Sequence, residues 1–339
     1  MNKQKVILID TGSESNRMMM SDVGKMKNAV QISEVYEKKG KLWELLFKIH
    51  FGFKMNQRFD IPFKEAWDRY CVLNQLITDD SCDYYVILVN DVIRKLSPGY
   101  LSWLQTRENI HVTVLLLDSY DVMQPYFQRC VHRVQAANVY SFQKSDCERF
   151  GFHYTTSLYS RVSLENCGEE KQVYDVYYIG ADKGRIEEIY EIYKKFTENG
   201  LTCKFTIVAD KKNYRSYKKR YGELNIVRKR ISYSDILSEI SKTRCILEIC
   251  QKGQDGLTMR FYEALFYNKL LITNNASAQN HPLFHPDFMQ YYRTVEDISL
   301  EPFIDNRTVE YGYKDQCSPK HFIHHILNTA DKSKKRILL

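Results

Sequence analysis

The chain has 339 residues, 44% of them apolar and 13% aromatic, with a formal net charge of +7. That length suits two domains of ordinary size, and that composition excludes a disordered chain. No run approaches the ~18 apolar residues of a membrane span, the opening MNKQKVILID lacks a signal-peptide core, and the cysteines form no CxxC pair, which together point to a cytoplasmic protein with reduced thiols.

Lys5 to Asp10 (KVILID) reads as a first strand. Thr11-Gly12-Ser13 is a polar turn at its carboxyl end, the edge where open α/β sheets bind ligands, so Gly12 and Ser13 are candidate acceptor-side residues. The turn is far from GxGxxG, and a dinucleotide site is poorly supported. Met18, Met19 and Met20 fit an ordinary helix or loop. Between Lys38 and Lys54, Leu42, Leu45, Leu46, Ile49 and Phe53 share one helical face, flanked by Trp43, Phe47 and Phe51. Lys38, Lys39, Lys41, Lys48 and Lys54 make the segment basic. Such a helix either lies in a membrane interface or faces its own core. Phe63 to Leu76 reads as helix from the spacing of Trp67, Tyr70, Leu73 and Leu76. Asp83 to Val89 and His111 to Leu117 are strands, ending at Asn90-Asp91 and at Asp118. Pro98 opens a helix through Trp103, and Met123 to Val134 reads as another. Asn138 to Phe142 is a short strand, and Asp146 to Phe150 a short helix ending at Gly151. This alternation predicts a doubly wound parallel sheet.

Ser160 to Gln172 is polar and reads as a linker. A second series begins with the strand Tyr174 to Ile179. Gly180-Ala181-Asp182-Lys183-Gly184-Arg185 then opens a helix that runs to about Glu198 and is capped by Gly200. Cys203 to Val208 is a strand, and Ile226-Val227 marks a short one. Tyr233 to Ile240 is a helix capped by Ser232, and Cys245 to Ile249 (CILEI) is a strand. From Gln254 to Asn275, QDGLTMRFYEALFYNKLLITNN reads as a loop broken at Gly256, a helix closed by Asn268, and a buried strand at Leu270 to Ile272. Arg260 and Glu263 are three apart, so they project from one side near the helix start. A cation beside a helix N-terminus suits a diphosphate, and a carboxylate one turn later suits sugar hydroxyls. The plainer alternative is an Arg–Glu pair capping a buried helix.

The string R-F-Y-E-A-L-F-Y-N-K-L-L-I-T-N-N resembles the donor-binding segment of GT-B glycosyltransferases. The GxxxGR loop, the Y-S-D-I-L helix and the strand before Arg260 stand in the order found in that family, over about Tyr174 to Asn275. The resemblance implies an α/β fold of two Rossmann-like, doubly wound parallel-sheet domains facing across a cleft. It divides the chain into an acceptor domain (1–160), a linker (161–172), a nucleotide-sugar donor domain (173–312) and a C-terminal segment (313–339). In that last segment His321 to Leu327 would form a helix returning to the first domain, ahead of a basic tail. It further implies transfer of a sugar from a nucleotide sugar to a glycan or lipid-linked acceptor, as in bacterial capsule or lipopolysaccharide synthesis. The location would be cytoplasmic, with peripheral contact at the anionic inner face of the membrane. Carried over position by position, the donor-binding residues are Gly180, Asp182, Lys183, Arg185, Asp255, Thr258, Arg260 and Glu263. Asp255, eight before Glu263, stands where many members carry glutamate.

Departure of a diphosphate creates negative charge, which preorganised N–H groups and cations stabilise. The chain has no Asp-x-Asp motif, so neither a metal nor another cofactor is expected. An inverting transfer needs a base. Asp118 is the first choice, with Asp91 and Asp10 at similar strand ends, whereas a retaining reaction needs none. His50 and His153 lack partners at ligand spacing. Pro282 and Pro286 argue against a helix that would align His281 with His285, and His321, His324 and His325 fit a helix face. Basic residues crowd Lys211 to Arg220 (Lys211, Lys212, Arg215, Lys218, Lys219, Arg220), Arg228 to Arg230 and the tail. They are solvated faces, or they attract an anionic membrane or phosphorylated substrates. No nucleic-acid recognition signature accompanies them. Two other classes remain open: a degenerate GT-B module that binds glycan or nucleotide sugar without catalysis, and a nucleotide-sugar epimerase, which would carry more acids and histidines. A pyridoxal phosphorylase would need a cofactor lysine and a longer chain. On this reading, Arg260→Ala and Glu263→Ala weaken donor binding without unfolding the chain.

Overall fold

A computed structural model describes residues 3–59, 61–123, 125–162, 172–251, 255–304 and 308–337, with side chains to 329. The chain divides into two compact units, Met1–Val162 with Asp315–Leu339, and Ser163–Lys314. The expected linker lies almost wholly outside the described residues.

The first unit is built on strands β1 (Lys3–Ile9), β2 (Ala29–Ile32), β3 (Cys82–Val89), β4 (Ile110–Leu116), β5 (Val139–Ser141) and β6 (His153–Tyr154). They pair in the order β2-β1-β3-β4-β5-β6, all in parallel. The connections carry α1 (Glu14–Met19), α2 (Lys41–Phe51), α3 (Phe53–Arg58), α4 (Leu73–Leu76), α5 (Pro98–Thr106), α6 (Pro125–Val131) and α7 (Lys144–Phe150). A central parallel strand is covered on both faces, which is why all of β3 is buried. Alternate residues serve the two faces. Ile7, Ile9, Val86, Leu88 and Val114 pack with Trp67, Leu101 and Phe127. Val6, Leu8, Tyr85, Ile87 and Leu115 pack instead with Phe322, Ile323, Ile326 and Leu327.

Those last four side chains come from the final helix, Pro319–Ile337. Each of them, buried fully, contributes about 1.5–3 kcal/mol relative to exposure. Polar bonds fix the approach to this helix. Ser318 Oγ donates to buried Asp22 at 2.9 Å, and the Tyr159 amide donates to the Cys317 carbonyl at 2.9 Å. Asp22 has its carboxyl held low by Lys25 and Ser318, against the opposing cost of burial.

The second unit has β7 (Tyr174–Ala181), β8 (Cys203–Val208), β9 (Asn225–Val227), β10 (Thr243–Glu248), β11 (Leu270–Thr273) and β12 (Met289–Tyr291). Its helices are α8 (Ile186–Glu198), α9 (Tyr214–Arg220), α10 (Tyr233–Ser241), α11 (Met259–Phe266) and α12 (Glu301–Ile304), and the final helix of the chain is α13. The sheet order is β12-β11-β10-β7-β8-β9, again all parallel. Read outward from β7, this is the two-way winding of a Rossmann sheet, with its switch point between β7 and β10.

Two sequence expectations need correction, and on α2 an open one is narrowed. Phe63 to Leu76 is not one helix but a 3-10 segment, Lys64–Tyr70, followed by the short α4. Phe63 sits at φ 64°, and a bridge between Tyr36 and Cys71 draws the chain away from helical bonding. The Val72 amide then donates to the Val35 carbonyl at 2.9 Å. The helix expected from Met123 to Val134 is confined to α6, which begins at Pro125 and gives way to turns after Val131. On α2 the aromatic flank faces the core, and the aliphatic face does not. Phe51 is buried against Tyr36 and Trp67, whereas Leu42, Leu45, Leu46 and Ile49 are 71%, 55%, 45% and 41% exposed.

Candidate functional site

The residues singled out on the second unit converge on its switch point. After β7, Lys183 and Gly184 take φ 45° and 80°, turning the chain into α8. Gly184 does this at no steric cost. A Cβ at Gly180 would lie 2.6 Å from the Tyr178 hydroxyl, so that ring would have to shift to admit a side chain. Asp182 is buried and binds the loop to its surroundings, accepting from the Ile186 amide at 3.1 Å and from the Tyr217 hydroxyl at 2.8 Å. Lys183 is exposed beside it.

Arg185 has a different place from the one its charge suggests. Its guanidinium donates to the carbonyls of Ala181 (2.8 Å) and Asp182 (3.3 Å), and to that of Ile249 just past β10. It therefore braces the ends of the two strands at the switch point, with three of its nitrogens occupied by backbone oxygens.

From the other side comes the start of α11. Thr258 is its N-cap, accepting from the Arg260 amide at 3.1 Å. Arg260 and Glu263 lie three apart and form an ion pair. Glu263 is completely buried and also accepts from the Tyr233 hydroxyl, the first residue of α10, at 3.0 Å. Asp255 is half-buried at the entry to this loop. Asn268, just past α11, has φ 49°, a left-handed residue closing the helix.

The residue beneath all of this is Glu248, the last of β10, which no motif identified. It is buried, and it accepts from the hydroxyls of both Thr258 and Thr273. Thr273 in turn accepts from the Asn275 amide at 3.0 Å, and the Asn275 side chain donates to the Gly256 carbonyl at 3.1 Å. One carboxyl thus ties β10, β11, the 256–258 loop and the N-cap of α11 together. Burial pushes its pKa up, against the opposing effect of the two threonines and Arg260. The readable signal was an acid inside the apolar run CILEI, directly before a strand end. Burial also pushes up the Cys250 thiol, which disfavours a thiolate nucleophile there.

Asp10, Gly12, Ser13, Asp91 and Asp118 lie on the first unit, at the carboxyl ends of β1, β3 and β4. Asp10 is fully buried, accepting from the Gly12 amide at 2.6 Å and from Gln31 at 2.8 Å. The Ser13 hydroxyl caps α1, accepting from the Asn16 amide at 3.2 Å. Asp91 is paired with Arg94. Asp118 is exposed and accepts from Asn90 Nδ2 at 3.0 Å. Among the described residues no group of three or more His, Cys, Asp or Glu is placed to hold a metal ion, and no helix is long and apolar enough to cross a membrane.

No protein-family model and no curated protein matches the chain. Solved structures do. Anabaena HepE in complex with UDP-glucose superposes with a TM-score of 0.54 at 11% identity, covering 97% of this chain and 99% of that one. The Neisseria meningitidis UDP-GlcNAc 2-epimerase bound to UDP-GlcNAc gives 0.53 at 11% identity, over 97% and 100%. An α-glucosyltransferase in complex with UDP and DNA gives 0.50 at 12% identity, over 82% and 80%. The fold is GT-B: two Rossmann-like domains. At these identities the likeness concerns fold alone.

Proposed function

We propose that the chain is a glycosyltransferase that moves a sugar from a nucleotide-sugar donor to a glycan or lipid-linked acceptor of a bacterial surface polysaccharide. The observation that carries this reading is the meeting, at one switch point, of the Gly180–Arg185 loop with the Arg260 end of α11. In sheets of this winding the crevice outside the switch point is where a nucleotide lies. The N–H groups opening α8 and the cations Lys183 and Arg260 would meet the diphosphate and stabilise its departure without a metal. The binding of UDP-glucose and UDP by two proteins of like fold supports this choice of ligand. On the first unit Asp118 would take the acceptor proton, because of the three strand-end aspartates it is the exposed one.

One finding favours a second reading. A protein of like fold over nearly the whole chain is a UDP-GlcNAc 2-epimerase. The two readings separate in a product assay. With purified protein, EDTA and a panel of nucleotide sugars, transfer is expected to release nucleoside diphosphate only when a glycan or lipid-linked acceptor is added. A new nucleotide sugar formed without acceptor would instead establish epimerisation.

In the same reading α2 offers a contact with the membrane surface. Its exposed leucines and Ile49 form one stripe, and residues 38–58 hold six Lys or Arg against the single acid Glu44. An apolar stripe edged by lysines suits an anionic bilayer surface. Wild type is expected to sediment with phosphatidylserine vesicles and not with phosphatidylcholine vesicles. The triple substitution Leu42→Ser, Leu45→Ser and Ile49→Ser should lose that binding at least about tenfold, at unchanged stability. Equal sedimentation of both proteins would remove the membrane contact.

A further inference from the structure

Residues 209–230 hold nine Lys or Arg against two acids, Asp210 and Glu223. Their net charge of +7 equals that of the whole chain, so the rest of the chain is neutral on balance. The fold places this excess beside the switch point. Lys211 and Lys212 follow the carboxyl end of β8, and Arg228, Lys229 and Arg230 follow that of β9. β8 is the neighbour of β7, and β9 lies next to β8. Strands spaced about 4.8 Å apart put the β9 end roughly 10 Å from the β7 loop. All five side chains are exposed.

Little nearby neutralises them. Glu223 is committed to Lys194 and to the Tyr190 hydroxyl, and Arg220 is the member of the segment that pairs with an acid, Glu187. Lys211, Lys212, Arg215, Lys219, Lys229 and Arg230 make no ion pair among the described residues. Cations held together in this way repel one another and are stabilised by an external polyanion.

The neighbouring chemistry narrows the partner. Insertion into a membrane interface would call for exposed apolar side chains, and residues 209–230 present no exposed large hydrophobic. Single-stranded nucleic acid would call for open aromatic faces. The segment's tyrosines are already engaged: Tyr214 has Lys218 and Arg228 each 5.8 Å from its ring centroid, Tyr217 donates to Asp182, and Tyr221 is buried.

We propose that the carboxyl edge of β8 and β9 is a binding site for a soluble chain bearing several phosphate groups, read by charge and not by stacking, and that this chain is the acceptor. Its role as acceptor rests on the transferase reading, whereas the binding itself does not.

The test uses the full chain and a fluorescein-labelled glycerol-phosphate oligomer of about ten units, followed by anisotropy across a salt series. Binding is expected, with affinity falling steeply with salt. The quadruple variants Lys211→Glu/Lys212→Glu/Lys229→Glu/Arg230→Glu and Lys211→Gln/Lys212→Gln/Lys229→Gln/Arg230→Gln should both keep the wild-type melting temperature. The neutral variant should lose at least about tenfold in affinity, with its log–log salt slope shallower by about 3. The charge-reversed variant should lose more. Unchanged affinity in both variants, or equal affinity for a neutral glycan of the same length, would overturn the proposal. So would tighter binding to single-stranded DNA of equal charge, which would make the partner a nucleic acid. Binding confined to phosphatidylserine vesicles would also overturn it and assign the edge to a membrane. The oligomer is measured without donor. Oligomer binding by a protein that takes no nucleotide sugar would therefore leave this site standing and remove the transferase reading, and the reverse result would remove this site alone.

Discussion

Glu263→Ala is expected to destabilise the protein by about 3–5 kcal/mol, the usual cost of leaving one partner of a buried ion pair alone. In the second unit this is roughly a 10 °C fall in melting temperature. The carboxylate is fully buried and answers both the Arg260 guanidinium and the Tyr233 hydroxyl. Arg260→Ala should cost a similar amount, because it strands a buried negative charge. The sequence alone suggested that either substitution would weaken donor binding without unfolding the chain, and the burial of Glu263 adds a loss of stability to the expected result. The double substitution Arg260→Met with Glu263→Leu should be more stable than either alanine variant, since it removes both charges and refills the space. Thermal melts of the four proteins check this. A double variant as unstable as the worse single one would mean that the pair is not the coupled unit described above.

A second large effect is expected at Glu248. Glu248→Ala leaves the Thr258 and Thr273 hydroxyls without their acceptor and opens a cavity at the base of α11, at about 2–4 kcal/mol. Glu248→Gln keeps an acceptor and should stay within about 1 kcal/mol of wild type. The pH dependence follows from the direction of its shift. The folded pKa stands above the ordinary glutamate value of 4.5. In the window above 4.5 the native state therefore holds a proton that the unfolded chain has released, and stability falls as pH rises to the folded pKa. Above that pKa the loss is complete and constant. Relative to Glu248→Gln, wild type should be at its most stable below pH 4.5 and lose ground as pH rises. Parallel stability curves for the two proteins would mean that the carboxyl does not titrate in this way.

Much of this architecture was legible in the sequence because parallel strands buried on both faces write themselves as apolar runs. KVILID, CKFTIV and LLIT could hardly be anything else. The pairing of Arg260 with Glu263 was legible too, because i,i+3 spacing on a helix leaves few alternatives. What the spacing could not reveal was depth. A charged pair at a helix start looks the same on paper whether it faces solvent or lies beneath it, and Glu263 lies beneath. Arg185 shows a related limit: its charge suits an anion, and spacing could not reveal that three of its nitrogens also donate to backbone carbonyls at two strand ends. α2 shows the same limit. Periodicity marks an amphipathic helix but does not say which of two apolar sides meets the core, and here the aromatic side won. The short strands β2, β6 and β12 left too brief a pattern to read, because tertiary pairing makes them. Glu248 escaped because a lone acid at a strand end matches no motif.

The most direct test of the switch-point site is equilibrium binding of a nucleotide-sugar panel to wild type and to the Arg260→Met/Glu263→Leu protein, followed by calorimetry in EDTA. Wild type is expected to bind one nucleoside diphosphate and its sugar conjugate. The double variant, folded by its melting transition, should bind the same ligand at least about tenfold more weakly, since it lacks the guanidinium beside the diphosphate. Equal affinity in the two proteins would reduce the pair to a helix cap and contradict the site.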